Sequence, residues 1–320
     1  MIISQTPYRI SLFGGSTDYK SYYEKKGSFL IGFAMDKYCY LCVRKTPSIY
    51  DCLSKINYAL IEKVDNNKDI KHNGARGVLE FLRISEGIEI THMSDLPSQT
   101  GIGSSSSFIV GLLNSLTFLY GMETSKSDLA KTAIHIEREL LSEPGGIQDQ
   151  IWASYGGFNS VEIDTNGDFE VKPMPVSQEF VEEFMSRCCL VYTGKTRKSF
   201  AIAEENSQKK SDIYKDKIQE ISLEAYSAFR EKNINKIGYL LRYSCEEKKK
   251  ISTSISNSHI EQIYNELLNQ NMIGGKLLGS GGAGFVFSVF RTKEDKEKFI
   301  ESNYQICVDV NISTEGSIIK

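Results

Sequence analysis

The segment Asp95-Leu-Pro-Ser-Gln-Thr-Gly-Ile-Gly-Ser-Ser-Ser-Ser-Phe-Ile-Val-Gly-Leu-Leu runs a glycine- and serine-rich turn straight into a long apolar helix, Ser105 to Tyr120. Gly101 and Gly103 let the backbone turn tightly and come close to a ligand. Ser104, Ser105, Ser106 and Ser107 then cap the helix. A helix N-terminus presents unpaired N–H groups and about half a positive charge, so this turn is an anion cradle. One of the four hydroxyls can also ligate a magnesium ion. The segment is not a Walker loop, because no lysine follows the second glycine. The Gly194-Lys-Thr run fails as well, since Cys189 stands where that loop needs glycine. The glycine spacing of a dinucleotide fingerprint is also missing, which argues against a nicotinamide oxidoreductase.

Two further glycine-rich elements flank this one. In Pro7-Tyr-Arg-Ile-Ser-Leu-Phe-Gly-Gly-Ser-Thr-Asp-Tyr a strand ends at Gly14 and Gly15, with the carboxylate of Asp18 just beyond. Such a carboxylate beside backbone N–H groups can grip vicinal hydroxyls; read alone, it is equally a cap on a β-turn. In Lys276-Leu-Leu-Gly-Ser-Gly-Gly-Ala-Gly-Phe-Val-Phe, Gly281 and Gly282 sit in a run whose entropic cost implies a need for bare backbone before the next strand. Between the elements lie two acids. Asp149 is near a helix start, where the dipole favours the ionised carboxylate, and Glu137 is on the preceding helix. Singly, each reads as a surface salt-bridge partner; near a phosphate cradle they suit one metal ligand and one base.

The rest of the chain supplies layers. Ile2 to Phe13 and Phe29 to Val43 read as strands, Asn73 to Ile84 and Lys126 to Leu141 as helices, and Asn159 to Lys172 as a hairpin. Pro173 and Pro175 mark the expected boundary between domains 1–175 and 176–320. Beyond it the sequence predicts a buried strand Cys188 to Tyr192, a charged helical stretch Lys198 to Asn269, a helix Lys293 to Ser302 and a final strand Tyr304 to Ile312. The irregular alternation indicates α+β layers. Lys248 to Lys250, following two glutamates, reads as a solvated helix face.

A net charge of −3 excludes the basic surface of a nucleic-acid binder. No apolar stretch reaches membrane-spanning length, and Met1 to Arg9 has no leader-like pattern. Seven cysteines, an odd number, argue against a disulfide framework and for a reducing cytoplasm. The lone CxxC, Cys39 and Cys42, places its thiols on opposite faces of a strand and reads as ordinary buried cysteines.

Taken in order, the three glycine elements resemble the GHMP kinase superfamily, which includes galactokinase, homoserine kinase, mevalonate kinase and phosphomevalonate kinase. The resemblance runs from Pro7 to Phe290 and is most specific at Pro97-x3-Gly-Ile-Gly-Ser-Ser-Ser. It implies a two-domain α+β kinase fold: an N-terminal domain like the second domain of a ribosomal small-subunit protein, and a ferredoxin-like C-terminal domain. It also implies ATP and Mg2+ as cofactors. The loop from Pro97 through Gly101 and Gly103 to Ser107 would wrap the ATP phosphates, and Ser105 and Glu137 would ligate magnesium. Asp149 would take the acceptor's proton beside the cation Arg9, and Gly14, Gly15 and Asp18 would hold sugar hydroxyls, with Gly281 and Gly282 also on the substrate side.

Galactokinase has Gly-Glu-His-Thr-Asp where this chain has Gly14-Gly15-Ser16-Thr17-Asp18, so galactose is disfavoured. The opening motif, Gly-Gly-Ile-Gln-Asp-Gln-Ile-Trp-Ala and Tyr192-Thr-Gly-Lys-Thr-Arg are most similar to the D-glycero-D-manno-heptose 7-phosphate kinases, which phosphorylate the anomeric hydroxyl and make a 1,7-bisphosphate for surface-polysaccharide precursors. A phosphorylated substrate needs cations, for which Lys195, Arg197 and Lys198 are the candidates; alone they read as solvated charges at a helix start. The resemblance leaves room for a homodimer and for another acceptor, such as fucose or a non-sugar alcohol. A non-catalytic sugar- or nucleotide-binding regulator is the rival of a different class, against which all three acids are retained.

Overall fold

The computed structural model describes residues 1–194, 212–251, 255–279, 281–303 and 306–320. Strand β1 (Ile2–Phe13) lies antiparallel to the long β2 (Ser28–Lys45), with a short helix α1 (Lys20–Lys26) between them. β2 serves two neighbours on its other side. Its first residues pair with β6 (Phe158–Ile163) and its last with β5 (Ile88–Ser94). Beyond β5 come β3 (Ser54–Asn57), parallel to it, and β4 (Ile61–Val64); β7 (Phe169–Pro173) completes the expected hairpin with β6. The last strand, β12 (Ile318–Ile319), returns to pair with β1. A second, antiparallel sheet has the order β11 (Cys307–Val308), β8 (Cys188–Tyr192), β10 (Phe285–Phe290), β9 (Met272–Leu277). Strands β1–β7 thus precede residue 175 and β8–β11 follow it, while β12 rejoins the first sheet.

Helices cover these sheets. α3 (Ser104–Leu119) packs on β1 and β2, with α2 (Asn73–Phe81), α4 (Lys126–His135) and α5 (Gln148–Tyr155) beside it or one another. A Cβ on Gly111 would come within 2.7 Å of Thr6 Oγ1, so its absence lets α3 settle against the sheet. On the C-terminal side are α6 (Gln178–Ser186), α7 (Asp212–Arg230), α8 (Ile234–Ile251), α9 (Ser258–Asn269) and α10 (Lys293–Asn303). α7 packs on β1 and β2 as well as on α8. Phe229 near its end meets Phe13, Phe158, Phe180 and Phe184 edge-on at 5.2–6.5 Å. With covering elements on both sides, the last eight residues of β1 are all buried.

Three expectations change. The charged helical stretch is broken: Asn233 and Asn257 each accept a backbone N–H three residues on, at 3.0 and 3.1 Å, and so start new helices. The helix expected to Leu141 loses its α register at His135 and continues as one π turn, Ile136–Leu140, which carries Glu137. Among the described residues of the strand expected over Tyr304 to Ile312, only Cys307–Val308 pairs regularly, with one bridge from Ile312 to Met35. All seven cysteines are unbridged; Cys39 is buried and Cys42 half-buried.

Candidate active site

The three glycine-rich elements converge on one cavity of about 490 Å³. Its floor comes from β1, which delivers Arg9 and Ser11. Gly103, in the left-handed region at φ 79°, precedes α3 with no side-chain cap, and the first turn, Ser104 to Ser106, lines the cavity. Gly101, at φ 80°, lies against Leu278 and Gly279 from the third element.

Arg9 grips Asp149 with two parallel bonds, Nε to Oδ1 at 2.7 Å and Nη2 to Oδ2 at 2.8 Å, and Nη1 donates to the Gly101 carbonyl at 2.6 Å. This bidentate geometry fixes both carboxylate oxygens. It also ties the first glycine element to the second and to α5. Asp149 keeps some access to the cavity, its side chain being 23% exposed against 6% for Arg9. Asp18 is buried under α5. Ser16 N donates to its Oδ1 at 3.1 Å, and Gln148 donates to Oδ2 from its backbone N at 3.3 Å and from Nε2 at 2.9 Å. A methyl group on Gly146 would overlap this carboxylate. Glu137 is buried on the π turn; its Oε2 accepts from Ser106 Oγ at 2.7 Å and from Gln150 Nε2, with Arg138 Nη2 at 3.5 Å. Burial pushes the pKa of both Asp18 and Glu137 up, and the nearby charge of Asp149 adds to it.

Most residues singled out from the sequence meet here: Arg9, Gly15, Asp18, Glu137 and Asp149, with Gly101, Gly103 and Ser104 to Ser106 from the phosphate turn and Gly281 opposite. Others serve the scaffold. Ser107 Oγ donates to the Pro7 carbonyl at 2.9 Å, and Gly14, at φ 81°, turns where a Cβ would overlap Phe29 O. The exposed Pro97 accepts from Thr100 Oγ1 at 2.7 Å, and Gly282 is held by Ile255 O and the Asn257 side chain. The hydroxyl that meets Glu137 is that of Ser106, while Ser105 is exposed at the cavity wall. Lys195, Arg197 and Lys198 lie outside the described residues.

Residues 71–157 match the family model of the GHMP kinases N terminal domain, and residues 225–308 match that of the GHMP kinases C terminal domain. A D-glycero-alpha-D-manno-heptose 7-phosphate kinase of Campylobacter jejuni is 30% identical over 309 residues, covering 89% of this chain and 88% of that protein. The chain belongs to the GHMP kinase family. A mevalonate kinase of Methanocaldococcus jannaschii is 27% identical over 94% of this GHMP kinase and 96% of its own length. The crystal structure of a D-glycero-D-manno-heptose 1-phosphate kinase from Bacteroides thetaiotaomicron shares the fold, with a TM-score of 0.81 and 20% identity over 100% of this chain and 99% of that one. This GHMP kinase is therefore a phosphotransferase of two-domain α+β architecture. None of its described helices is long and apolar enough to cross a membrane.

The sequence reading missed two cations of the GHMP kinase. Lys248, taken as part of a solvated face, is buried on α8 and donates to the Gly279 carbonyl; only Lys250 of that run is exposed. Its place on the apolar stripe Leu241, Cys245, Lys248 was the available signal. Lys276 on β9 is buried and donates to the carbonyls of Ser11 and Leu12 at 3.1 and 3.2 Å. Burial, with the neighbouring charge of Lys248, brings Lys276 down to about 7, and burial brings Lys248 down to about 8.

A lysine whose folded pKa is depressed destabilises the fold fully below that pKa. The penalty fades as pH rises toward the unfolded value. Lys276→Met is therefore expected to raise stability by about 1–4 kcal/mol at pH 6, with the gain shrinking between pH 7 and about 10.5. Denaturant melts of both proteins at pH 6 and pH 9.5 check this. A pH-independent difference would contradict a buried ammonium.

Proposed function

We propose that this GHMP kinase transfers the γ-phosphoryl group of Mg-ATP in line to the anomeric hydroxyl of D-glycero-D-manno-heptose 7-phosphate, in the cytoplasm. The observation that carries the reading is the Arg9–Asp149 pair at the head of the phosphate turn. Asp149 Oδ2 lies 3.3 Å from where a Cβ of Gly103 would stand, so a carboxylate fixed on both oxygens faces the place a triphosphate would occupy. In this reading Asp149 accepts the hydroxyl proton and aims the oxygen. Arg9 keeps Asp149 from rotating, and Asp18 with the Gly15 backbone holds the sugar. The transition state of phosphoryl transfer is loose, so positioning and charge neutralisation carry most of the rate.

The donor set fits magnesium: a buried carboxylate, Glu137, with the Ser106 hydroxyl on it and Ser105 exposed at the same cavity wall. Magnesium favours one or two carboxylates plus substrate phosphates over an all-protein cage, and no cluster of three acidic, histidine or cysteine ligands occurs among the described residues. When bound, the ion would neutralise charge on the phosphate oxygens. The similarity to the Campylobacter jejuni heptose 7-phosphate kinase over most of both chains supports this acceptor over the others.

ADP release with Mg-ATP should be measured against the heptose 7-phosphate, mannose 6-phosphate, fucose, galactose, mannose and mevalonate. A preference of at least about tenfold in kcat/KM, or 1.4 kcal/mol, for the heptose phosphate is expected. A preference for an unphosphorylated acceptor would overturn the substrate while leaving the kinase.

A further inference from the structure

Around the bare Gly15 the cavity wall gathers polar groups that the transfer chemistry does not use. Lys276 Nζ lies 3.4 Å and Ser11 Oγ 3.1 Å from where a Cβ of Gly15 would stand, with Gln148 Nε2 at 3.7 Å. Lys276 is 2% exposed and Ser11 4%. Among the described residues the Ser11 hydroxyl has no hydrogen-bond partner, nor has Gln148 Oε1, and both residues line the cavity. An orphaned buried hydroxyl carries a desolvation cost unless a ligand satisfies it. Lys276 donates to two carbonyls, so one of its three N–H bonds has no partner among the described residues, and the residue lines the cavity. A second cation, Lys248, stands near enough to depress it, and among the described residues neither ammonium has a carboxylate within 4.0 Å, Asp18 acting on both only at longer range. Two buried ammonium groups lining one cavity are costly unless an anion pairs with them, and a dianion bound there would offset that cost.

We propose that Lys276, with Ser11 and with Lys248 behind it, forms the subsite for an anionic group borne by the acceptor, a phosphate monoester. The subsite belongs to the acceptor and not to ATP because of what the ammonium touches. Lys276 is bound to the end of β1, next to Gly15 and the Asp18 loop, whereas the phosphate turn at Gly101 to Ser106 is met by Arg9 and by Gly279, whose carbonyl Lys248 holds from behind. It also gives the acceptor phosphate a site within the described residues, independent of Lys195 and Arg197. The proposal rests on the reading that the acceptor is a phosphorylated sugar.

The test compares wild type, Lys276→Met and Ser11→Ala with two acceptors that differ only in the phosphate: D-glycero-D-manno-heptose 7-phosphate and the same heptose without it. Lys276→Met should raise KM for the phosphorylated sugar about 10- to 100-fold, the range for loss of a charged hydrogen bond. It should leave KM for ATP and for the free heptose within about twofold. Ser11→Ala should shift the same KM in the same direction, by a smaller factor. Equal losses on both acceptors, or a fall in kcat alone, would assign Lys276 to the transferring phosphoryl group and overturn the subsite while leaving the heptose phosphate as substrate. No change with either acceptor would leave Lys276 a structural residue and overturn the subsite too. A wild-type enzyme that prefers the free heptose would instead overturn the acceptor reading itself.

Discussion

Asp149→Asn is expected to lower kcat by about 10²- to 10⁴-fold, the usual contribution of a positioned general base. The amide keeps the size of the carboxylate but cannot take a proton. It also offers Arg9 only one acceptor oxygen, so one of the two bonds at 2.7 and 2.8 Å is lost. The remaining ties of Arg9, to Gly101 O and through its backbone to Ile102 O, hold the phosphate turn in place. KM for ATP should therefore change by no more than about threefold, under 1 kcal/mol. Steady-state ADP release, with nucleotide affinity measured separately, distinguishes this outcome. A drop smaller than about tenfold would take the base role from Asp149, and a large rise in KM for ATP would make the pair a scaffold for the turn.

Gly101→Ala should damage fold and activity together. The residue sits at φ 80°, where an L side chain costs about 1–2 kcal/mol. Its Cβ would also overlap the Leu278 carbonyl, with Leu278 C at 2.8 Å and Gly279 N at 3.1 Å. Because those are backbone atoms, the clash cannot be relieved by a rotamer change. Overpacking of this kind adds about 1–3 kcal/mol, so a loss of about 2–5 kcal/mol in a denaturant melt is expected. The contact joins the phosphate turn to the third glycine element, so the displaced backbone should also raise KM for ATP. Full stability in the variant would mean that the two elements do not meet this closely.

The glycine elements, the acids and the strand pattern were legible because they break ordinary rules. Glycine where backbone entropy is costly, and acids beside an anion cradle, both demand a ligand. Of the residues read as the phosphate turn, Gly101, Gly103 and Ser104 to Ser106 line the cavity, while Ser107, and Gly14 from the expected sugar-holding element, fix the backbone behind it. Lys248 was misread because adjacent glutamates imitate a solvated face. Its helical phase, which aligns it with Leu241 and Cys245, outweighs its neighbours in sequence. Lys276 gave no signal, since β9 is buried at nearly every position and alternation cannot single out one residue. The π turn was also invisible, because one extra residue per turn leaves no compositional trace.

The pairing of β12 with β1 has a consequence for how the chain is made. Thr6 Oγ1 and Ser317 Oγ meet at 2.8 Å across 311 positions, and Lys320 N donates to Ile3 O. During vectorial synthesis at about 5–20 residues per second, the flank of β1 that receives β12 has no partner until residues 318–319 leave the ribosome. An unpaired strand flank is a template for other chains. The edge of the first sheet at Ser4 and Gln5 is thus closed late in synthesis, by Ile318 and Ile319.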